Sequence, residues 1–165
     1  MSRPMALAAC LTLSCARAPV VALAPDDVCT GTTPLKPGAP GSPDNLIPSS
    51  VNPNGVSELS ALMRVFVDDM RAARTAVERG APVPPMWARH RKVRCAWPSE
   101  LSDHTPSFDA KAVLYLDELK NLESNPADPR QAYESVRVGC VTCHEETCEA
   151  QMDLVDSLSL SASAR

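Results

Sequence analysis

Aromatic side chains are scarce in this chain: 4% of 165 residues, with two each of Phe, Tyr and Trp. That scarcity argues against an all-β sandwich or barrel, whose strands draw heavily on aromatic and β-branched residues. Alternation of apolar and polar residues over a useful length is also missing. Beyond the N-terminal segment, no apolar run approaches the roughly 18 residues that a membrane-crossing helix needs. Positive charge is neither dominant nor clustered: 16 Lys and Arg stand against 20 Asp and Glu, a net charge of -4. Without a basic block, nucleic acid is excluded as an expected partner. No Ser-His-Asp constellation, P-loop or Gly-rich nucleotide site is present, and the carboxylates do not form an evident catalytic pair. An enzyme is therefore not expected.

Proline and cysteine, in contrast, are plentiful, at 16 and seven. The beginning of the chain has the marks of an export leader over residues 1–15, with Arg3 ahead of a short apolar stretch from Met5 to Leu13. Two cysteines compete as a lipid-attachment site. Leu7-Ala8-Ala9-Cys10 has the better pattern, and Thr12-Leu13-Ser14-Cys15 the better length. An ordinary cleaved leader is the alternative, although Pro25 after Ala22-Leu23-Ala24 disfavours cleavage there. The expected location is the periplasm or the outer face of a bacterial membrane, with a lipid anchor. Residues 16–54, interrupted by Pro34, Pro37, Pro40, Pro43, Pro48 and Pro53, read as an extended, semi-rigid tether.

Helical periodicity begins after the tether, and residues 55–160 are expected to form one all-α domain. Leu59, Leu62, Met63, Phe66, Val67, Met70, Ala73 and Val77 recur at three- and four-residue steps, between a Ser57 cap and a Gly80 stop. Pro84 and Pro85 can open a short helix through Trp87, His90 and Arg94. A third segment from Thr105 or Ser107 to about Glu123 carries Phe108, Ala112, Tyr115, Leu116, Leu119 and Leu122 on one stripe. The last helix starts at Asp128-Pro129 and keeps its period to about Leu158. Three clear helices and one weak one suggest a four-helix bundle, whose core can hold a cofactor.

The chemistry is concentrated in Cys140-Val141-Thr142-Cys143-His144. The spacing C-x-x-C-H reads as a c-type haem attachment site. Two thiols can add to the two vinyl groups of one porphyrin, and the next imidazole can ligate the iron from the proximal side. Three other readings of these residues compete. A zinc site would use Cys140, Cys143, His144 and Cys148, a thioredoxin-like pair would use the two cysteines as a redox couple, and a structural disulfide would join them. Covalent haem is attached outside the cytoplasm, so the export leader and the motif support each other.

The order of these parts resembles the class II c-type cytochromes, the family of cytochrome c-prime and its low-spin relatives. The resemblance covers about residues 56–150. It rests on the motif near the end of the last helix and on Leu62-Met63-Arg64 with Met70 in the first. The chain departs from that pattern in a short, proline-rich second helix and in Cys148 after the motif. The resemblance implies one covalent haem c on Cys140 and Cys143, with His144 as proximal ligand and a distal residue from the first helix. Met63 is the first candidate and Met70 the second. A thioether there suits single-electron transfer with redox partner proteins, and an apolar residue leaves the iron open to NO or CO. A homodimer is a further implication.

His90, His104 and Met86 are weaker ligand candidates, the histidines being expected at the surface, and Met152 is expected in the core. Arg64 could pair with a propionate. Glu145, Glu146 and Glu149 form an acidic patch that could steer a basic partner. Among the remaining cysteines, Cys148 is expected to bridge to Cys95, or else to Cys29, leaving the third as a free thiol. A zinc- or disulfide-stabilised structural domain is the reading without haem.

Overall fold

A computed structural model describes residues 29–161, so the leader, Cys10, Cys15 and residues 16–28 of the expected tether lie outside the described residues. The described chain is helical, without a strand among these residues. Three long helices carry it: α1 (Glu58–Glu78), α3 (Pro106–Glu123) and α4 (Pro129–Thr147). Two short ones, α2 (Trp87–His90) and α5 (Met152–Asp156), sit between and after them.

Each long helix starts where local chemistry supplies an acceptor. The Ser57 hydroxyl takes the Ser60 amide at 3.1 Å, Thr105 takes Phe108 at 3.1 Å, and the Asp128 carboxylate takes Gln131 at 3.0 Å. These bonds satisfy amides that have no partner within the first turn. Pro106 and Pro129 open α3 and α4, where a missing amide hydrogen costs nothing. The short α2 is capped from a distance: Glu123, at the end of α3, accepts the amides of Met86 and Trp87 at 2.7 and 2.6 Å. A 3₁₀ turn, Arg91–Arg94, extends α2 as the sequence pattern anticipates.

One core joins these helices. Phe66, Met70, Ala73 and Val77 of α1 meet Phe108, Ala112, Tyr115, Leu116, Leu119 and Leu122 of α3 and Ala132, Tyr133 and Val136 of α4. Leu119, Leu122 and Tyr133 are wholly buried, and each such side chain contributes about 1.5–3 kcal/mol relative to exposure. The most extensive packing is between α3 and α4, joined by residues 124–128. So short a link makes them antiparallel neighbours.

The expected all-α class is found, with five α-helices among the described residues. The second helix is short, as expected, but α4 stops at Thr147 instead of running to Leu158. Cys148, at φ -158° and ψ 58°, breaks the helix. A straight helix would carry Leu158 about 21 Å beyond His144. The break instead returns Val155 and Leu158 to the core, where the Tyr133 hydroxyl donates to the Leu158 carbonyl at 2.6 Å.

The expected tether also needs correction over residues 29–54. This stretch is a strap laid against the domain, not a spacer. Cys29 is disulfide-bonded to Cys95, the Trp97 indole N–H donates to the Lys36 carbonyl at 2.8 Å, and Ile47 and Val56 exchange two backbone bonds of 2.9 Å. At Gly41 (φ 89°) an added Cβ would lie 2.2 Å from the Glu58 backbone nitrogen, so only glycine lets the strap approach the start of α1.

Candidate functional site

Cys140, Cys143 and His144 occupy the last two turns of α4, where three- and four-residue spacing places them on one face. That face is brought close to α3 by Gly139. A Cβ there would sit 3.4–3.5 Å from Tyr115, in van der Waals contact with α3.

Neither motif cysteine is in a disulfide, although the chain holds one elsewhere. The expected pairing of Cys148 with Cys95 or Cys29 is not made. Cys29 and Cys95 take each other, and Cys148 is an exposed free thiol. The reason lies in the two corrections above: the strap brings Cys29 to the end of α2, while the break after α4 turns Cys148 outward.

Burial pushes the Cys140 thiol up to about 12, and the neighbouring Cys143 adds to the effect. Burial also raises Cys143, against the pull of the Lys111 ammonium, which is ion-paired with Glu146. His144 is half-exposed. Its Nδ1–H points at the Cys148 carbonyl in a long contact of 3.4 Å, which leaves the Nε2 lone pair uncommitted. That is the tautomer a metal-ligating histidine uses, with one ring nitrogen holding a carbonyl and the other directed at the ion.

Two concavities flank this face. One is a cavity of about 40 Å³ between α1, α3 and α4, lined by Met63, Phe66, Val93, Ala112, Tyr115, Gly139, Cys140, Cys143 and His144. The other is a groove of about 390 Å³ between α1, α4 and α5, whose walls include Met63, Phe66, Met70, Cys140, His144 and Leu154. The groove falls within the roughly 300–1,000 Å³ usual for small-molecule and cofactor sites. Met63, Phe66, Cys140 and His144 line both, so the α1 residues face the motif directly.

These residues fit a covalently held haem: two thiols outside any disulfide, one imidazole with a free nitrogen, apolar walls and a thioether opposite. Cys140 and Cys143 would hold the porphyrin and His144 the iron. Met63 is half-buried at the edge of both concavities, whereas Met70 is 1% exposed and forms part of the groove floor and the core.

The histidines and Met86 stand apart from the motif, whereas Arg64 and Glu145 lie near it. His90, expected at the surface, is 0% exposed, and both its ring nitrogens are engaged, by Asp69 at 2.9 Å and the Tyr115 hydroxyl at 2.5 Å. It has no lone pair left for a metal. His104 donates Nε2–H to the Arg94 carbonyl at 2.9 Å, near Asp109 and Gly31. Met86 is buried in the core beneath the start of α2. Arg64 lies on the rim of the groove, where it donates to the Ser49 hydroxyl at 2.7 Å. Glu145 is exposed beside the motif.

Among the described residues, no three His, Cys, Asp or Glu side chains converge as a metal-binding group. The cage of Cys140, Cys143, His144 and Cys148 that zinc would need is not assembled. Sequence reasoning assigned Phe66 and Tyr115 to core stripes and did not mark them as walls of the site. Their spacing carried a signal, since Phe66 is one helical turn beyond Met63. Compared with known protein families, curated proteins and solved structures, the chain matches none.

Proposed function

We propose that this chain is an exported monohaem c-type cytochrome that carries single electrons between partner proteins. The observation that carries the proposal is that Cys140 and Cys143, both outside any disulfide, and the following imidazole with Nε2 free line one cavity with Met63 across it. When bound, the haem would supply a one-electron couple. The chain's part is to attach it through two thioethers, present the His144 nitrogen and keep water from the buried edge with Phe66, Val93 and Ala112. A methionine sulfur as the sixth ligand favours outer-sphere electron transfer. The exposed carboxylate of Glu145 gives a basic partner a charge to approach. The leader would place the protein outside the cytoplasm, on a lipid anchor through Cys10 or Cys15.

One observation favours a second reading. Phe66 lines both concavities together with Met63. If the phenyl ring rather than the thioether covers the open iron face, the site is five-coordinate and binds NO or CO.

Expression with haem-maturation machinery tests the proposal. The expected product keeps a Soret band after denaturation and acid-acetone extraction, and loses it in the Cys140→Ala, Cys143→Ala variant. A colourless product from cells that mature a control cytochrome would overturn it.

A further inference from the structure

Away from the motif, three residues from three elements are joined through a buried imidazole. His90 on α2 is 0% exposed. Its Nε2 lies 2.9 Å from Asp69 Oδ2 on α1, and its Nδ1 lies 2.5 Å from the Tyr115 hydroxyl on α3. Phe66 stacks on the ring, with centroids 3.6 Å apart and planes within 9°. A carboxylate accepts only, so the neutral ring carries its proton on Nε2, and Nδ1 accepts from the Tyr115 O–H. The charged groups facing His90 are Asp69 from α1, Arg89 from α2 and Glu123 from α3, and the Tyr115 phenol is its remaining titratable neighbour. Arg89 grips Asp69 with two bonds, of 3.1 and 2.7 Å, which offsets much of that carboxylate's charge.

The two ends of this chain of bonds differ. The Asp69 side chain is 17% exposed and reaches solvent. Tyr115 and Phe66, at the other end, are walls of the cavity beside Cys140, Cys143 and His144. A proton-accepting ring thus lies between water and the site, separated from the site by one layer of side chains.

We propose that His90 is a proton site coupled to the one-electron site at Cys140–His144, taking up a proton from water by way of Asp69 when the site gains an electron and returning it when the electron leaves. The inference rests on the electron-carrier reading above. Each cycle balances: a one-electron donor protein supplies the electron and water the proton, and both leave on oxidation.

The physical reason is that an added electron removes one positive charge from a low-dielectric interior close to the ring, which favours the imidazolium. The imidazolium loses neither partner. Nε2–H stays on Asp69, and the new Nδ1–H donates to the Tyr115 oxygen, whose own hydroxyl proton turns away from the ring. Burial holds the ring below the ordinary imidazole value of 6.5, against the opposing pull of Asp69.

The test uses the full chain with covalent haem. Its midpoint potential is titrated optically across pH, and the His90 ring is followed by NMR with labelled histidine, of which the chain has three. The midpoint is expected to fall with rising pH between the pH at which the ring titrates in the oxidised protein and the higher pH at which it titrates in the reduced one, with a slope approaching about 59 mV per pH unit, and to be flat on either side; that slope is the one-electron equivalent of a tenfold change per unit. The His90 ring should titrate at a higher pH in the reduced protein than in the oxidised one, and His90→Gln should flatten the sloping arm. A pH-independent midpoint, a ring that titrates at the same pH in both states, or a sloping arm that survives His90→Gln would overturn the proposal while leaving the electron carrier intact. A missing Soret band would overturn the carrier reading itself, before any potential is measured.

Discussion

Cys29 and Cys95 are covalently joined across 66 positions of sequence, and the bond fixes the strap to the end of α2. A cross-link closing a loop of that length restricts the unfolded chain by about 4 kcal/mol. Replacing both cysteines with serine is expected to lower the urea-unfolding free energy by up to that amount. Far-ultraviolet circular dichroism without denaturant should change little, because the capping bonds of α1, α3 and α4 lie elsewhere.

The C-terminal segment is held by one buried phenol. Tyr133 donates to the Leu158 carbonyl at 2.6 Å, and Leu158 is 3% exposed. Tyr133→Phe leaves that carbonyl without its partner and is expected to cost about 1–3 kcal/mol. Amide exchange should quicken in α5 and the residues after it, with α1 protected as before.

Acid should destabilise the fold in two steps. Burial holds His90 below 6.5 in the folded protein, so the unfolded chain binds more protons there, and stability is lost as pH falls below 6.5. Burial works to raise Asp69, but bonds from Arg89 and His90 outweigh it and hold the carboxyl below 3.8. Its contribution is present above 3.8 and is lost as pH falls through the lower folded value. Urea midpoints measured against pH should show both arms, and His90→Gln should remove the first.

Two methionines on one helix should separate cleanly. Met63→Ala is expected to convert a low-spin haem spectrum to high-spin, with a small loss of stability from a half-buried position. Met70→Ala removes a side chain that is 1% exposed and should cost about 2–5 kcal/mol while leaving the spectrum unchanged. A low-spin spectrum that survives Met63→Ala would remove Met63 as ligand.

The parts of this fold that were legible in the sequence are those fixed within a few residues. Ser57, Thr105 and Asp128 cap their helices through amides three positions on, and the stripes of α1 and α3 face the core as their periodicity requires. The parts that escaped depend on distant partners. The strap is held by Trp97 and Cys95, each more than 60 positions from its mate in the strap. His90 is buried because Asp69 and Tyr115 arrive from two other helices, and the break at Cys148 is favoured by a core contact at Leu158. At the site, Cys140, Cys143 and His144 were marked by spacing alone, whereas Phe66 and Tyr115 became walls only once α1 and α3 were in place.

The raised Cys140 thiol has a consequence for timing. With its value pushed up to about 12, roughly one molecule in 10⁵ carries the reactive thiolate at neutral pH once the chain is folded. Folding therefore silences this sulfur. A bond from this sulfur to carbon is therefore favoured on the open polypeptide, where the thiol is not buried. The same burial makes the folded thiol a poor target for oxidants, so packing of the helices closes the interval in which this sulfur is reactive.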